Sequence, residues 1–291
     1  MSEKNPFPDE DNTGHVWDDN LRELKNPPPR WWMIGFWASI AFIIGYGILY
    51  PMWPLASDHT KGILGWTQIQ EYKEGVAEIE SVRAEFEEKL KTMSADEILK
   101  DEGLADYTVA SAKVLFGDNC APCHGNGGAG NPGYPILADD DWLWGGSIAK
   151  IRESIINGRG KGAIIPAVGM PAHKGVLSDG EIDTLANYVV ALSEGKTNES
   201  GKKLFMVKGC IGCHGLDGKG MAVLGSANLT DPIWRFEPSG VESARYTIEH
   251  GVNAANDPAT RDAQMPAFKE RLDNTTINKL AVYVYKFGGG K

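Results

Sequence analysis

The chain has 291 residues, room for about two domains. Its 39 acidic residues against 29 basic ones give a formal charge of −10, the wrong balance for a nucleic-acid binder, which would show a basic stripe. Hydrophobic residues at 42% and charged ones at 23% describe a chain ordered over most of its length, and four cysteines are too few for a disulfide scaffold.

Residues 1–30 are polar, rich in Asp and Pro, and carry no apolar period; they read as a flexible tail. From Trp31 to Tyr50 run 20 residues without a charge. A helix of that length covers about 30 Å, the hydrocarbon thickness of a bilayer. Trp31, Trp32 and Trp37 at one end, and Tyr46, Tyr50 and Trp53 at the other, resemble interfacial anchors. A cleaved signal peptide is the rival reading, but its apolar core is shorter and lies closer to the start. Arg22, Lys25 and Arg30 precede the span and only Lys61 follows it closely, which places the N-terminus in the cytoplasm and everything after Tyr50 across the membrane.

Residues 51–106 are expected to form a helical linker. Within it, Ile69, Tyr72, Val76, Ile79, Val82, Phe86, Leu90 and Met93 recur at steps of three and four, the mark of an amphipathic helix over 67–93. That face suits packing on the next domain better than a free partner. Ser94 followed by Glu97 is a capping-box pattern that predicts a second, short helix.

The remainder is a duplication, with repeats at 107–195 and 198–291. Met170-Pro171-Ala172 recurs as Met265-Pro266-Ala267, and Leu177–Leu192 aligns without gaps on Leu272–Phe287. Trp142 pairs with Trp234, and Asn157-Gly158 with His250-Gly251. Glycines, 35 in all and mostly in the last two thirds of the chain, predict long loops.

Each repeat holds a C-x-x-C-H motif: Cys120, Cys123 and His124 in the first, Cys210, Cys213 and His214 in the second. Two residues between the thiols match the two vinyl groups on one edge of a haem, and the adjacent imidazole is brought to the iron. A redox C-x-x-C or half a zinc site are the competing readings of one motif. Two copies, each followed by His and without a βαβ pattern, favour two covalently bound haem c groups. Met170 lies 46 residues after His124 and Met265 lies 51 after His214, both in loops ahead of a repeat's last helix. A thioether opposite His raises the potential and closes the coordination sphere. The duplication suggests that each Met serves its own repeat; an exchange, Met170 on the second haem and Met265 on the first, is the other arrangement. His173 and His250 do not recur in both repeats and read as surface or supporting residues; His15 and His59 flank the membrane without a constellation. Tyr188 and Tyr283 read as packing on the haem, with Trp142, Trp234, Arg159 and Lys161 as candidates for its propionates.

At this point the arrangement resembles the diheme, membrane-anchored cytochrome c subunit III of cbb3-type cytochrome c oxidases. The residues that carry the resemblance are Asn26-Pro27-Pro28-Pro29-Arg30-Trp31-Trp32 before the span, Tyr50-Pro51 after it, and the two C-x-x-C-H/Met-Pro modules. It covers essentially the whole chain, with one span where some members have two. The resemblance implies a mainly α chain, one N-terminal transmembrane helix followed by two tandem cytochrome c domains, and no catalytic residues of its own. It also implies electron transfer in aerobic respiration from a donor c-type cytochrome, through a monohaem cytochrome c subunit, toward a haem–copper catalytic subunit. The setting implied is the bacterial inner membrane, with the haem domains in the periplasm. From residue 94 onward there are 24 acidic and 20 basic residues, a mild field suited to a basic donor and equally to any soluble acidic surface. A cytochrome subunit of a periplasmic dehydrogenase and a diheme peroxidase are the other functional classes. The peroxidase needs an open sixth position, and the four glycines from Gly158 to Gly169 leave room for a mobile Met170 loop.

Overall fold

A computed structural model describes residues 7–18, 20–161, 163–164 and 169–287. The chain is mainly helical and divides into two compact units, one ending at Val82 and the other starting at Arg83.

The first unit corrects the expected flexible tail. Strands β1 (Asn12–Trp17) and β2 (Leu21–Leu24) pair antiparallel, with Val16 opposite Arg22 and Trp17 opposite Leu21. Arg22 closes the hairpin by pairing with Glu10 and lying 4.2 Å over the Phe7 ring. Asp18 takes a positive φ of 48° at the turn, a conformation that Asp tolerates better than most residues. Helix α1 (Arg30–Leu49) is exposed along nearly its whole length and is the one helix among the described residues long and apolar enough to span a membrane. Its last carbonyls are capped by the returning chain. Ile63 N–H donates to Ile48 O at 2.9 Å and Leu64 N–H to Leu49 O at 3.1 Å. These two bonds satisfy groups that a helix end otherwise leaves open. Gly47 has no side chain where the Trp53 indole packs, 2.9 Å from where a Cβ would stand.

Helix α2 (Gln68–Thr92) follows the predicted period. Its last turns pack Phe86, Leu90 and Met93 into the core that begins there, whereas Ile69, Tyr72, Ile79 and Val82 are exposed. Helix α3 (Ala95–Lys100) starts at the predicted capping box: Ser94 Oγ accepts from Glu97 N–H and the Glu97 carboxylate accepts from Ser94 N–H at 2.8 Å. Asp101 caps α4 (Glu102–Asn119), and the first motif forms the single turn α5 (Ala121–His124), followed by α6 (Ile148–Asn157). Helix α7 (Asp179–Ser193) ends the first repeat. The second repeat supplies α8 (Glu199–Val207), the motif turn α9 (Ile211–His214), α10 (Val241–His250) and α11 (Asn274–Tyr285).

The repeats of the sequence are not the packing modules. Helix α11 packs on α4 and α6, while α7 packs on α8 and α10. One core joins Phe116, Ile148, Ile151 and Ile155 to Phe268, Ile277 and Leu280; the other joins Leu177, Ile182 and Leu185 to Phe205, Ala244 and Ile248. Each module therefore takes its last helix from the other repeat. The ring pairs repeat with the same spacing in both, Phe116 with Tyr283 and Tyr188 with Phe205, each at 5.3 Å. Close approach of α8 to α7 requires Gly201, where a Cβ would stand 2.9 Å from Tyr188 Cγ.

Candidate functional site

Both motifs fold in the same way. The helix before each one runs into a single turn that places the two thiols and the imidazole on consecutive sides of the chain, and Gly125 or Gly215, at φ of 72° and 77°, ends the turn. His124 Nδ1 lies 3.0 Å from Pro135 O, and His214 Nδ1 lies 3.0 Å from Ala227 O. A carbonyl only accepts, so each Nδ1 carries the proton and each Nε2 keeps its lone pair for a ligand. Burial lowers the pKa of both imidazoles, which keeps them neutral at pH 7. Sequence reasoning missed these two carbonyls, since nothing in the residue types Pro and Ala marks them.

None of the four cysteines is paired with another in a disulfide. Burial, with Cys123 alongside, pushes Cys120 up to about 11, and burial raises Cys210. A redox C-x-x-C works through a thiol of lowered pKa, so that reading does not fit. Among the described residues no three His, Cys, Asp or Glu side chains gather as a metal site, which removes the zinc reading.

The two Met-Pro loops cross between the repeats. Met265 pairs antiparallel with Arg159, with Arg159 N–H to Met265 O at 2.9 Å and Met265 N–H to Arg159 O at 2.8 Å. Met170 pairs with Val252, whose N–H donates to Met170 O at 3.0 Å. Gly158 and Gly251, at φ of 69° and 71°, are the floors under these loops. A Cβ on Gly158 would stand 2.8 Å from Ala267 N, and one on Gly251 would stand 2.8 Å from Ala172 N. Met265 thus sits in the core that holds Cys120 and Ala121, and Met170 in the core that holds Cys210 and Ile211. Part of the glycine-rich stretch before Met170, residues 162 and 165–168, lies outside the described residues.

The competing histidines are engaged elsewhere. His250 Nδ1 bonds Asp257 Oδ2 at 3.0 Å, and both side chains are buried to a similar degree. His173 lies on the loop that Ile248 and Glu249 hold through its N–H. His15 and His59 stand beside Glu23 and Asp58 on the surface. Arg159 bonds Ser154 and Glu153 and lies 4.4 Å over Trp144, while Lys161 is exposed.

Two features fit a prosthetic group with acidic arms. Trp142 Nε1 is buried with no acceptor among the described residues, and so is Arg261 Nε. Arg235, pushed down to about 10 by burial, donates to Gly133 O at 3.1 Å in the loop that holds the His124 carbonyl partner. Paired thiols, a neutral imidazole with a free Nε2 and unpartnered buried donors are the set that a haem c needs, and twice over.

Comparison with known proteins settles the family. Residues 9–57 match the N-terminal domain of cytochrome oxidase-cbb3, FixP. Residues 108–189 match cytochrome c oxidase, cbb3-type, subunit III, and residues 198–286 match cytochrome c. The chain is 42% identical over 289 residues to the cbb3-type cytochrome c oxidase subunit FixP of Bradyrhizobium diazoefficiens, covering 96% of this chain and 95% of that one. It belongs to the FixP/CcoP family of cbb3-type oxidase subunits. The CcoP subunit of Azospirillum sp. B510 is 38% identical over 96% of this chain and 95% of its own, and FixP of Rhizobium meliloti is 36% identical over the full length of both. As a member of this family the chain is a membrane-anchored electron-transfer subunit with two covalently bound haem c groups. It works with other oxidase subunits and is not catalytic alone.

Proposed function

We propose that Cys120 and Cys123 hold one haem and Cys210 and Cys213 the other, with His124 and Met265 closing the first iron and His214 and Met170 the second. The two thiols of each motif would hold the haem covalently, as thioethers to its vinyl groups. The matched backbone pairing of Met265 with Arg159 and of Met170 with Val252 carries the crossed assignment.

When bound, haem c supplies a one-electron carrier, and the chain's own residues tune and hold it. Pro135 and Ala227 fix the imidazole tautomers; Gly158 and Gly251 let the Met loops lie flat against the helix ends. With His124 and Met265 on one iron and His214 and Met170 on the other, neither haem would offer oxygen an open position, which supports a carrier over a peroxidase. Each module takes its last helix from the other repeat, so neither haem site is complete without both repeats.

Electrons then come from a donor c-type cytochrome and go on through a monohaem cytochrome c subunit to the haem–copper subunit. The excess of Lys and Arg before α1 supports a cytoplasmic N-terminus in a bacterial inner membrane, with the haem modules in the periplasm.

Single replacements Met170→Ala and Met265→Ala in the purified chain test the site. Each should turn one low-spin haem high-spin and lower its potential; two unchanged low-spin haems in either variant would overturn the assignment. Co-purification with a copper-containing, oxygen-reducing complex supports the partners, and recovery with a flavoprotein or quinoprotein dehydrogenase instead would reject them.

A further inference from the structure

Helices α7 and α11 are homologous, so something must decide which one each haem-motif region takes. The connection from α7 to α8, residues 194–198, is short and makes those two helices antiparallel neighbours. Side chains supply a second, separate answer.

Arg152 on α6 and Arg245 on α10 stand at matched places, each six residues before the matched glycines Gly158 and Gly251. Arg152 donates from Nε to Asn278 Oδ1 at 2.7 Å and from Nη2 to Asn274 Oδ1 at 3.2 Å. Arg245 donates from Nη2 to Asp179 Oδ1 at 3.2 Å and from Nη1 to Asp183 Oδ1. In the ungapped alignment of the two helices, Asp179 matches Asn274 and Asp183 matches Asn278. The same arginine therefore reads the same two positions, as carboxylates in one module and amides in the other.

The amides have a reason. Asn278 also donates from Nδ2 to Met93 O at 3.0 Å, which a carboxylate cannot do. Its neighbour Lys279 is buried and reaches both oxygens of Glu87 on α2 at 2.6 and 2.7 Å. At the place of Lys279, α7 has Thr184, whose hydroxyl turns back to Gly180 O at 2.7 Å. Helix α7 in the seat of α11 would set the Asp183 carboxylate against the Met93 carbonyl and leave Glu87 without its cation. Helix α11 in the seat of α7 would take Lys279 away from Glu87 and offer Arg245 no charge. A further contact agrees: Lys208, two residues before Cys210, pairs with Glu181 at 2.6 Å, whereas the residue two before Cys120 is Asp118. The penalty falls mainly on the α11 seat, where Asn278 and Lys279 are buried and a wrong helix leaves a donor or charge unmet. The Arg245 pairs with Asp179 and Asp183 are exposed and add charge preference.

We propose that these side chains form a pairing code that sends each terminal helix, and with it each axial methionine, to the haem motif of the other repeat: Arg152 and Glu87 with Asn274, Asn278 and Lys279, and Arg245 with Asp179 and Asp183. The proposal rests on the crossed methionine assignment above and deepens it: the residues named position the ligands and do not touch the irons.

The test exchanges the code between the helices in the full-length holoprotein: Asp179→Asn, Asp183→Asn and Thr184→Lys together with Asn274→Asp, Asn278→Asp and Lys279→Thr. The reduced protein is labelled with 13C-methyl methionine. The variant Met170→Ala in each background identifies the Met265 ligand methyl, and its Overhauser contacts identify the haem bonded to Cys120 or to Cys210. In the native chain the Met265 methyl should contact the Cys120 haem; contact with the Cys210 haem there would overturn the crossed assignment itself. In the exchanged chain the Met265 methyl should move to the Cys210 haem. If it stays on the Cys120 haem while the native chain is crossed, the code is wrong and the short connection alone decides. Should the exchanged chain fail to fold, the milder pair Asp183→Asn and Thr184→Lys gives α7 the Asn-Lys pair that α11 carries at 278–279, leaving only Asp179 of the exchanged positions different. Two sets of ligand-methyl resonances are then expected, and a single native set would overturn the code.

Discussion

Lys279 and Glu87 join α11 to α2 across the first module, and the two do not depend on each other equally. The ammonium is 9% exposed and the carboxylate 33%, with Nζ 2.6 and 2.7 Å from the two oxygens. Tyr107 Oη donates to the same carboxylate at 2.5 Å. At an effective dielectric of about 20, opposite charges at this range attract by roughly 6 kcal/mol. Desolvation offsets much of that, and the exposure of Glu87 reduces it further. Glu87→Ala strands a buried ammonium and a phenol, so it should cost ~3 kcal/mol, near the lower end for a broken buried pair. Lys279→Met removes the cation but leaves Glu87 with Tyr107 and water, so ~1–2 kcal/mol is expected. The double variant should cost less than the sum by roughly 1.5 kcal/mol, the coupling of the pair. Guanidinium unfolding of the holoprotein, followed by haem absorbance at pH 7, measures all four corners of the cycle. Burial alone would raise the Glu87 carboxyl, yet the bonds from Lys279 and Tyr107 hold it below the usual range. The coupling is therefore present above the ordinary Glu pKa and should fade as pH falls through the lowered one. Additive single variants at pH 7, with coupling under about 0.5 kcal/mol, would refute the reasoning.

Other expectations follow from single sites. Gly158→Ala places a Cβ 2.8 Å from Ala267 N at a φ of 69°, and should loosen the Met265 loop; a high-spin fraction at one haem, absent from the parent, is the readout. Asp139 is pushed up to about 6 by burial, with Asp141, Asp231 and Asp140 adding to the effect. A raised carboxyl binds its proton more tightly in the folded chain, so stability should fall as pH rises from about 4 to about 6 and then level off. Asp139→Asn should remove that fall and add ~1–2 kcal/mol at pH 7.5, against nothing at pH 3.5; equal unfolding midpoints at pH 7.5 would count against it. His15→Ala, on the exposed hairpin, should leave both haem spectra unchanged.

The span, the two motifs and the methionines were legible because each is written in residue types that chemistry makes rare in combination: 20 uncharged residues, thiols at a fixed spacing beside His, and Met-Pro twice in register. The capping box at Ser94 was legible for the same reason. The hairpin was missed because β2 is four residues long and its ties, Arg22 to Glu10 and Lys25 N–H to Asp11 O, join polar residues that composition reads as a tail. The crossing was not legible. Two homologous helices have the same apolar pattern, and either could fill either core; the difference lies in Asp183 against Asn278 and Thr184 against Lys279, whose partners are known only once Glu87, Met93 and the arginines are placed in space. The carbonyls that hold His124 and His214 were hidden because backbone oxygens leave no mark on sequence.

The crossed arrangement is tested most directly by cutting the chain between its repeats. A protease site introduced at Lys196-Thr197, between α7 and α8, would leave one fragment with α4, α6 and α7 and another with α8, α10 and α11. Each module needs helices from both fragments. After cleavage the two pieces should therefore stay together through gel filtration in detergent, both haems low-spin, and part only in denaturant. Fragments that separate under native conditions, each keeping a six-coordinate low-spin haem, would contradict the account.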